Sequence, residues 1–299
     1  MNIAAPTRPA LRWHGGKWLL APWVVQHLPP HRVYVEPFGG AASVLLRKPR
    51  SYAEVYNDLD DYVVNLFRVL RSSYADALIR ALRQTPFARA EFEAAYEISE
   101  DPLEEARRLI VRSFMGFGSD GFNRAVRTGF RAASNRLGST AAHDWVNYPD
   151  ALTLIIKRFA GVVIEHRPAL SIIRAHDRPE TLHYVDPPYL PDTRSSKSRK
   201  GGTRYHAYRH EMTVKDHQEL LAALRNLTGM VVLSGYPASL YDTMLHDWHR
   251  VERMALADGA RERTEVLWIN PSAWSALYRA EGLFGLLADG RQVPTSLPE

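Results

Sequence analysis

The chain has 299 residues, with 38 Lys and Arg against 33 Asp and Glu for a formal net charge of +5, 45% hydrophobic residues and no cysteine. That is enough chain for one large domain, or for a domain carrying an inserted subdomain, and the positive excess favours a polyanionic partner. Without cysteine, disulfides, thiolate zinc sites and thiol nucleophiles are excluded.

In chain order, Val33-Tyr34-Val35 reads as a short buried strand. It runs into the small-residue turn Glu36-Pro37-Phe38-Gly39-Gly40-Ala41-Ala42-Ser43, followed by an apolar stretch through Leu46. Strand, tight turn and helix is the order of a nucleotide-type pocket at a strand's carboxyl end. Residues 52–56 form a second strand candidate ending at Asn57-Asp58, and residues 59–70 carry apolar positions at helical spacing. From about residue 72 to residue 150 strand signals vanish. Helical stretches such as 75–82 and 103–114 dominate, and a Gly-, Ser-, Asn- and Arg-rich segment lies between Met115 and Asn147. Alternation then resumes, with strands expected at 161–164, 182–185, 230–233 and 266–269 and a helix at 214–227 behind a Thr213 N-cap.

This pattern predicts an α/β sheet with helices on both faces, built from residues 1–71 and 151–299, with the helical block 72–150 inserted between its second and third strands. There is no internal repeat, and the tail beyond Gly290 reads as frayed. No run approaches the roughly 18 apolar residues of a membrane span, and residues 1–12 lack the apolar centre of a signal peptide. A soluble cytoplasmic protein is expected.

The most informative stretch is Asp186-Pro187-Pro188-Tyr189. The apolar run from Leu182 to Val185 stops at Asp186, so the end of a buried strand delivers a carboxylate, a rigid turn and an aromatic ring to one point. Prolines fix φ and supply no N–H donor, which leaves acceptors facing the site. Such a set suits a planar ligand carrying an amino group, although Asp186 read alone is an ordinary turn residue.

Three other segments precede it. Arg12-Trp13-His14-Gly15-Gly16-Lys17 ends like a phosphate loop, but Leu11 stands where that loop needs Gly and Trp18 where it needs Ser or Thr. Lys17 beside glycines can still bind a carboxylate. The turn at 36–43 lacks G-x-G-x-x-G but allows close backbone approach to a ligand. Asp58, about 20 residues after the turn, is placed to accept hydrogen bonds from ribose hydroxyls; on its own it reads as a helix N-cap.

In this order the segments resemble the Dam-type (D-P-P-Y, alpha-group) DNA adenine-N6 methyltransferases. The resemblance covers nearly the whole chain: Trp-x-Gly-Gly-Lys, Glu-Pro-Phe with small residues, an Asn-Asp strand end, a helical insert and Asp-Pro-Pro-Tyr come first. Thr213, Asp216, His217 and Leu220 in Thr-x-x-Asp-His-x-x-Leu, and Thr264 to Asn270 in Thr-Glu-Val-Leu-Trp-Ile-Asn, complete it. It implies a Rossmann-like class I methyltransferase sheet with an inserted target-recognition subdomain, S-adenosylmethionine as cofactor, and double-stranded DNA as partner. It also implies cofactor contacts at Trp13, Lys17, Glu36, Pro37, Phe38, Gly39, Gly40, Asp58 and Asp186, and a catalytic loop at Asp186, Pro187, Pro188 and Tyr189. Two positions depart from the family pattern. Ala42 replaces a common glycine, a change that alanine's small size should allow, and Pro168 stands near where the family often has a polar side-chain contact to the cofactor's adenine, which proline does not supply.

An adenine amino nitrogen is a poor nucleophile and a sulfonium methyl a strong electrophile, so positioning suffices without a covalent intermediate. The absence of cysteine separately excludes a cytosine C5 methyltransferase. Asp186 and the Pro187 carbonyl are expected to accept the two amino hydrogens of a flipped-out adenine, with Tyr189 stacked on it. DNA contacts are expected from Arg112, Arg124, Arg127, Arg131 and Arg136 in the insert and from Arg194, Lys197, Arg199, Lys200 and Arg204 after the catalytic loop, where Arg209, Tyr205 and Tyr208 also lie. Residues 195–202 are expected to order only on DNA. His206 and His210 sit four apart but lack a third ligand nearby, so no metal is expected. Trp145, Trp248, Trp268 and Trp274 read as structural aromatics. A monomer working at the nucleoid is expected. The alternatives are the same fold acting on cytosine N4 or an RNA base, or a non-catalytic prophage-derived DNA-binding protein. Related cytosine N4 enzymes usually have Ser at the Asp186 position, and glutamine methyltransferases usually have Asn.

Overall fold

The computed structural model describes residues 5–118, 121, 123–132, 139–190, 209–257 and 261–288. Among them, seven strands form one sheet: β1 (Val33–Glu36), β2 (Ala53–Asn57), β3 (Val162–Glu165), β4 (Thr181–Val185), β5 (Met230–Gly235), β6 (His249–Ala257) and β7 (Arg261–Ile269). Their order is β3-β2-β1-β4-β5-β7-β6. The first five are parallel, and β7 runs antiparallel between β5 and β6. This is the α/β, Rossmann-like class read from the sequence. β6 is the strand that reading missed. It lies at the sheet's edge, and its first half, His-Arg-Val-Glu-Arg, is polar.

The helices are α1 (Ala21–Gln26), α2 (Ser43–Arg47), α3 (Asp61–Leu70), α4 (Ala75–Gln84), α5 (Arg89–Ala94), α6 (Pro102–Met115), α7 (Ala141–Val146), α8 (Tyr148–Phe159), α9 (Ala169–Ala175), α10 (Val214–Arg225), α11 (Ser239–Met244) and α12 (Pro271–Ala288). Local chemistry sets several starts. Asp101 caps α6 with Pro102 in its first turn, and Thr213 with Asp216 forms a capping box on α10. The cap of α3 is Asp60, whose carboxylate accepts from the Tyr62 N–H. That removes the N-cap reading of Asp58 and leaves its side chain for the site.

Helices α3 to α8 lie between β2 and β3, and of these α4 to α7 fall within residues 72–150. The expected boundary at 150/151 falls inside α8. Leu78, Leu82, Leu109 and Ile110 of the block share one apolar core with Tyr34, Tyr56 and Tyr184 of the sheet. The opposite face packs Val185, Val231 and Leu233 against Leu220, Leu221 and Leu224 of α10. Strands buried on both faces explain why the sequence showed apolar runs rather than alternation. Trp145, Trp248 and Trp268 are buried, and Trp274 stacks on His249.

Candidate active site

The chain runs outward from β1 to β2 and β3, then returns to place β4 on the other side of β1. A crevice opens at such a reversal, outside the carboxyl ends of the strands. A cavity of about 370 Å³ lies there, within the size range of small-molecule sites. Of the residues singled out from the sequence, Trp13, Lys17, Glu36, Pro37, Phe38, Gly39, Gly40, Asp58, Asp186 and Pro188 line it. Pro187 and Tyr189 do not.

The turn after β1 forms the floor. Gly39 packs so closely on the Tyr56 ring that a Cβ there would collide with it, and a Cβ on Gly40 would sit 2.7 Å from Trp13 Nε1. Gly40 has φ 46° and Ala42 φ 54°. The family departure at Ala42 is therefore a matter of conformation more than of size: alanine occupies the left-handed region that glycine enters freely. Glu36 Oε2 accepts from the Tyr34 hydroxyl at 2.7 Å and the Leu45 N–H at 3.0 Å, which ties the strand end to the first turn of α2. Burial pushes the Glu36 carboxyl up to about 8 despite those donors, and nearby Asp186 adds to the rise.

Asp58 Oδ2 accepts from Gly40 N at 2.7 Å and Oδ1 from Asp60 N at 2.8 Å. Burial moves its pKa up to about 6. Asn57, quoted from the sequence only as a strand end, joins three loops. Its Nδ2 donates to Pro37 O at 2.8 Å and Arg167 O at 2.9 Å, and its Oδ1 accepts from Arg167 N at 2.9 Å.

Asp186 follows β4. Its Oδ1 lies 3.2 Å from Lys17 Nζ, and the lysine side chain is 5% exposed. The carboxylate that Lys17 meets in this structure is the protein's own, while the lysine also lines the cavity. Lys17 Nζ also donates to Gly15 O at 3.1 Å and lies 3.9 Å from Glu265 Oε2. Burial raises the Asp186 carboxyl above its usual range, Lys17 pulls it back and Glu265 pushes it up again.

Tyr189 does not present a stacking face. Its ring is 7% exposed, its hydroxyl donates to Glu265 Oε2 at 2.9 Å, its edge meets Tyr236, and Lys17 Nζ lies 4.6 Å from its centroid. A base can stack on it only after the ring turns out of this packing.

The basic residues divide sharply. Arg112 is fully buried, donates to Ala95 O and faces Glu105, so it is removed from the expected DNA contacts. Arg124 is bound to Glu105 and the Tyr62 hydroxyl, an internal brace between the helical block and α3. Arg131 is half-buried and donates to Phe114 O, while Arg127 is exposed over the Tyr96 ring. Arg136, Arg194, Lys197, Arg199, Lys200, Arg204, Tyr205, His206, Tyr208, the segment 195–202 and the tail beyond Gly290 lie outside the described residues. Arg209 pairs with Asp60 and Asp61, and with His210, Glu211 and Met212 it lines the cavity, a contribution the sequence reading missed. Among the described residues no group of three His, Cys, Asp or Glu side chains could hold a metal, and no helix is long and apolar enough to cross a membrane.

A floor without room for Cβ atoms, walls from Trp13 and Phe38, and a lining in which, among the described residues, the carboxylates Glu36, Asp58, Asp60, Asp186, Glu211 and Asp216 outnumber Lys17 and Arg209 suit a planar ligand that carries a positive charge. The family model for D12 class N6 adenine-specific DNA methyltransferases matches residues 13–254. Proteins named DNA adenine methylase are similar along most of the chain. The Escherichia coli K12 protein is 25% identical over 252 residues, 81% of this chain and 84% of that relative. The Salmonella typhi protein is 24% identical over 257 residues, covering 83% and 86%. The Serratia marcescens protein is 26% identical over 251 residues, covering 81% and 87%.

Proposed function

Because this chain belongs to the D12 class of N6 adenine-specific DNA methyltransferases, we propose that its cavity takes S-adenosylmethionine as methyl donor and that Asp186 receives an adenine turned out of double-stranded DNA. The observation that carries this reading is the Asp186-Pro187-Pro188 turn at the end of β4, on the rim of a cavity lined by carboxylates at the sheet's reversal point. When bound, the donor supplies an electrophilic methyl group on a cationic sulfur. Asp58 and Asp186 create the negative surroundings that a cation needs, Glu36 being held protonated near neutral pH, and Asp58 retains lone pairs for ribose hydroxyls beside the two backbone donors it already holds. Trp13 and Phe38 provide the apolar walls for the planar part.

At the acceptor, the Asp186 carboxylate and the Pro187 carbonyl hold the two amino hydrogens and direct the nitrogen lone pair into the cavity. Once the nitrogen has gained its methyl group it must lose one proton, and Asp186, with its raised pKa, receives it for release to solvent. Exposed Arg127 and the half-buried Arg131 supply phosphate contacts on the helical block, together with the basic residues that precede Arg209 in the sequence.

Asp186→Ala tests the assignment. Methyl incorporation into DNA is expected to fall by about 10²–10⁴-fold, while calorimetry shows donor binding within a few-fold of wild type. Near-normal turnover would overturn it, and N4-methylcytosine in the digested product would move the reading to the cytosine alternative.

A further inference from the structure

Glu265 lies outside the cavity lining, yet it touches two of the groups that hold Asp186 in place. Strand β7 is inserted antiparallel beside β5, with Val266 paired to Gly235 at the carboxyl end of β5. That register carries Glu265 to the back of the β4 loop, where its side chain is 9% exposed. There Oε2 accepts the Tyr189 hydroxyl at 2.9 Å and lies 3.9 Å from Lys17 Nζ, while the same ammonium is 3.2 Å from Asp186 Oδ1. Two buried carboxylates therefore share one lysine.

Taken as a device for stability alone, this arrangement is poor. A second buried carboxylate adds a desolvation penalty that half of an ion pair does not repay. It makes sense if the lysine needs two places to rest. With Lys17 bound to Asp186, an incoming amino group competes with a full positive charge for the same oxygens. Moving the ammonium away from Asp186 separates a buried cation from a carboxylate, and the Gly15 carbonyl it also meets carries no charge to replace that one. With Glu265 behind it, Lys17 exchanges one ion pair for another over a short path.

We propose that Glu265 is a positioning residue for methyl transfer: it takes the Lys17 ammonium over from Asp186 as the target amino group arrives, and through the Tyr189 hydroxyl it holds the Asp-Pro-Pro-Tyr loop against the sheet. The proposal rests on the reading that Asp186 receives the amino group. Among the described residues the titratable groups facing Asp186 are Lys17 from the N-terminal segment, Glu36 at the end of β1, Tyr184 on β4, Tyr189 on the loop, Tyr236 after β5, Tyr241 on α11 and Glu265 on β7.

Glu265→Gln keeps the shape and an acceptor for Tyr189 but leaves Lys17 on Asp186. Single-turnover methylation is expected to fall by about 10²-fold, with donor and DNA dissociation constants within a few-fold of wild type. Removing the Glu265 charge removes a push that raises the Asp186 carboxyl, so the acid limb of the rate moves to lower pH. In the ligand-free protein, the ¹³C carboxyl titration of Asp186, assigned by its loss in Asp186→Ala, should shift the same way. Glu265→Asp keeps the charge and is expected to recover part of the rate, with the acid limb near its wild-type position. A Glu265→Gln protein with wild-type rate and an unmoved titration overturns the proposal. So does a folded Glu265→Asp protein as slow as Glu265→Gln. Full activity of Asp186→Ala would instead overturn the underlying functional reading, whatever Glu265 does.

Discussion

Two buried ion clusters sit at opposite ends of the parallel strands with inverse compositions. At the amino-terminal end, the single carboxylate of Glu54 is held by two cations. Lys48 Nζ lies 2.7 Å from Oε1, and Arg158 donates to both oxygens at 2.6 and 2.8 Å. At the carboxyl end, the single cation of Lys17 lies between Asp186 and Glu265. Burial pushes Glu54 up as it does Asp186, but Arg158 and Lys48 outweigh it and hold Glu54 below the usual carboxylate range. Asp186 ends above that range. The first cluster is closed and fastens β2 to α8. Among the described residues the second has two carboxylates to one lysine and lies beside a cavity, which fits the proposed cationic donor. Burial is common to both, and the ratio of carboxylates to cations separates scaffold from site.

The strongest way to break this contrast is to empty the scaffold cluster. Glu54→Leu leaves Lys48 and Arg158 buried without their counterion, with an expected cost of about 3–5 kcal/mol. The melting temperature should drop by roughly 10 °C, while the methylation rate per folded molecule stays at wild type. A loss of rate in the folded fraction would show that the two ends are coupled.

Glu36→Gln probes the cost of burying a carboxyl at the site through pH. Between the carboxyl's ordinary value of 4.5 and about 8, the folded protein holds a proton on Glu36 that the unfolded chain has released. The native state then binds more protons than the unfolded state, so stability falls as pH rises through that window and the penalty stays in place above it. The amide introduced by Glu36→Gln would still accept from Tyr34 and Leu45 and carries no titration. The melting temperature of wild type should therefore decline more steeply from pH 5 to pH 8 than that of Glu36→Gln, and parallel profiles would rule out a protonated Glu36. The smallest effect expected is at the turn: Ala42→Gly relieves a left-handed alanine and should stabilise the protein by up to about 1 kcal/mol in denaturant unfolding, net of the extra unfolded-state freedom of glycine.

Much of the site was legible because its elements are written locally. An apolar run ending in Asp186-Pro187-Pro188, a small-residue turn after a short strand and the Thr213-Asp216 capping box each follow from neighbouring residues. Glu265 was quoted within Thr264 to Asn270 but given no role, because a charged residue at the head of the strand Val-Leu-Trp-Ile looks like an ordinary strand end. Its meaning depends on β7 lying beside β5, a pairing between distant segments. The Arg112 error has a related cause. An arginine in a basic helix reads as a phosphate contact until Glu105 and the Ala95 carbonyl are found around it.

The sequence by itself determined the α/β class, the order of the motifs and the carboxylate at the end of β4, since hydrophobic runs, proline geometry and helix caps act over a few residues. Tertiary structure alone decided which charges meet. Lys17, Asp186 and Glu265 are far apart in the chain, and a sequence carries no record of how many cations a buried carboxylate must share. Sheet order settles that count. In this protein the order puts β7 beside β5, so that Glu265 comes to share Lys17 with Asp186 beside an open cavity.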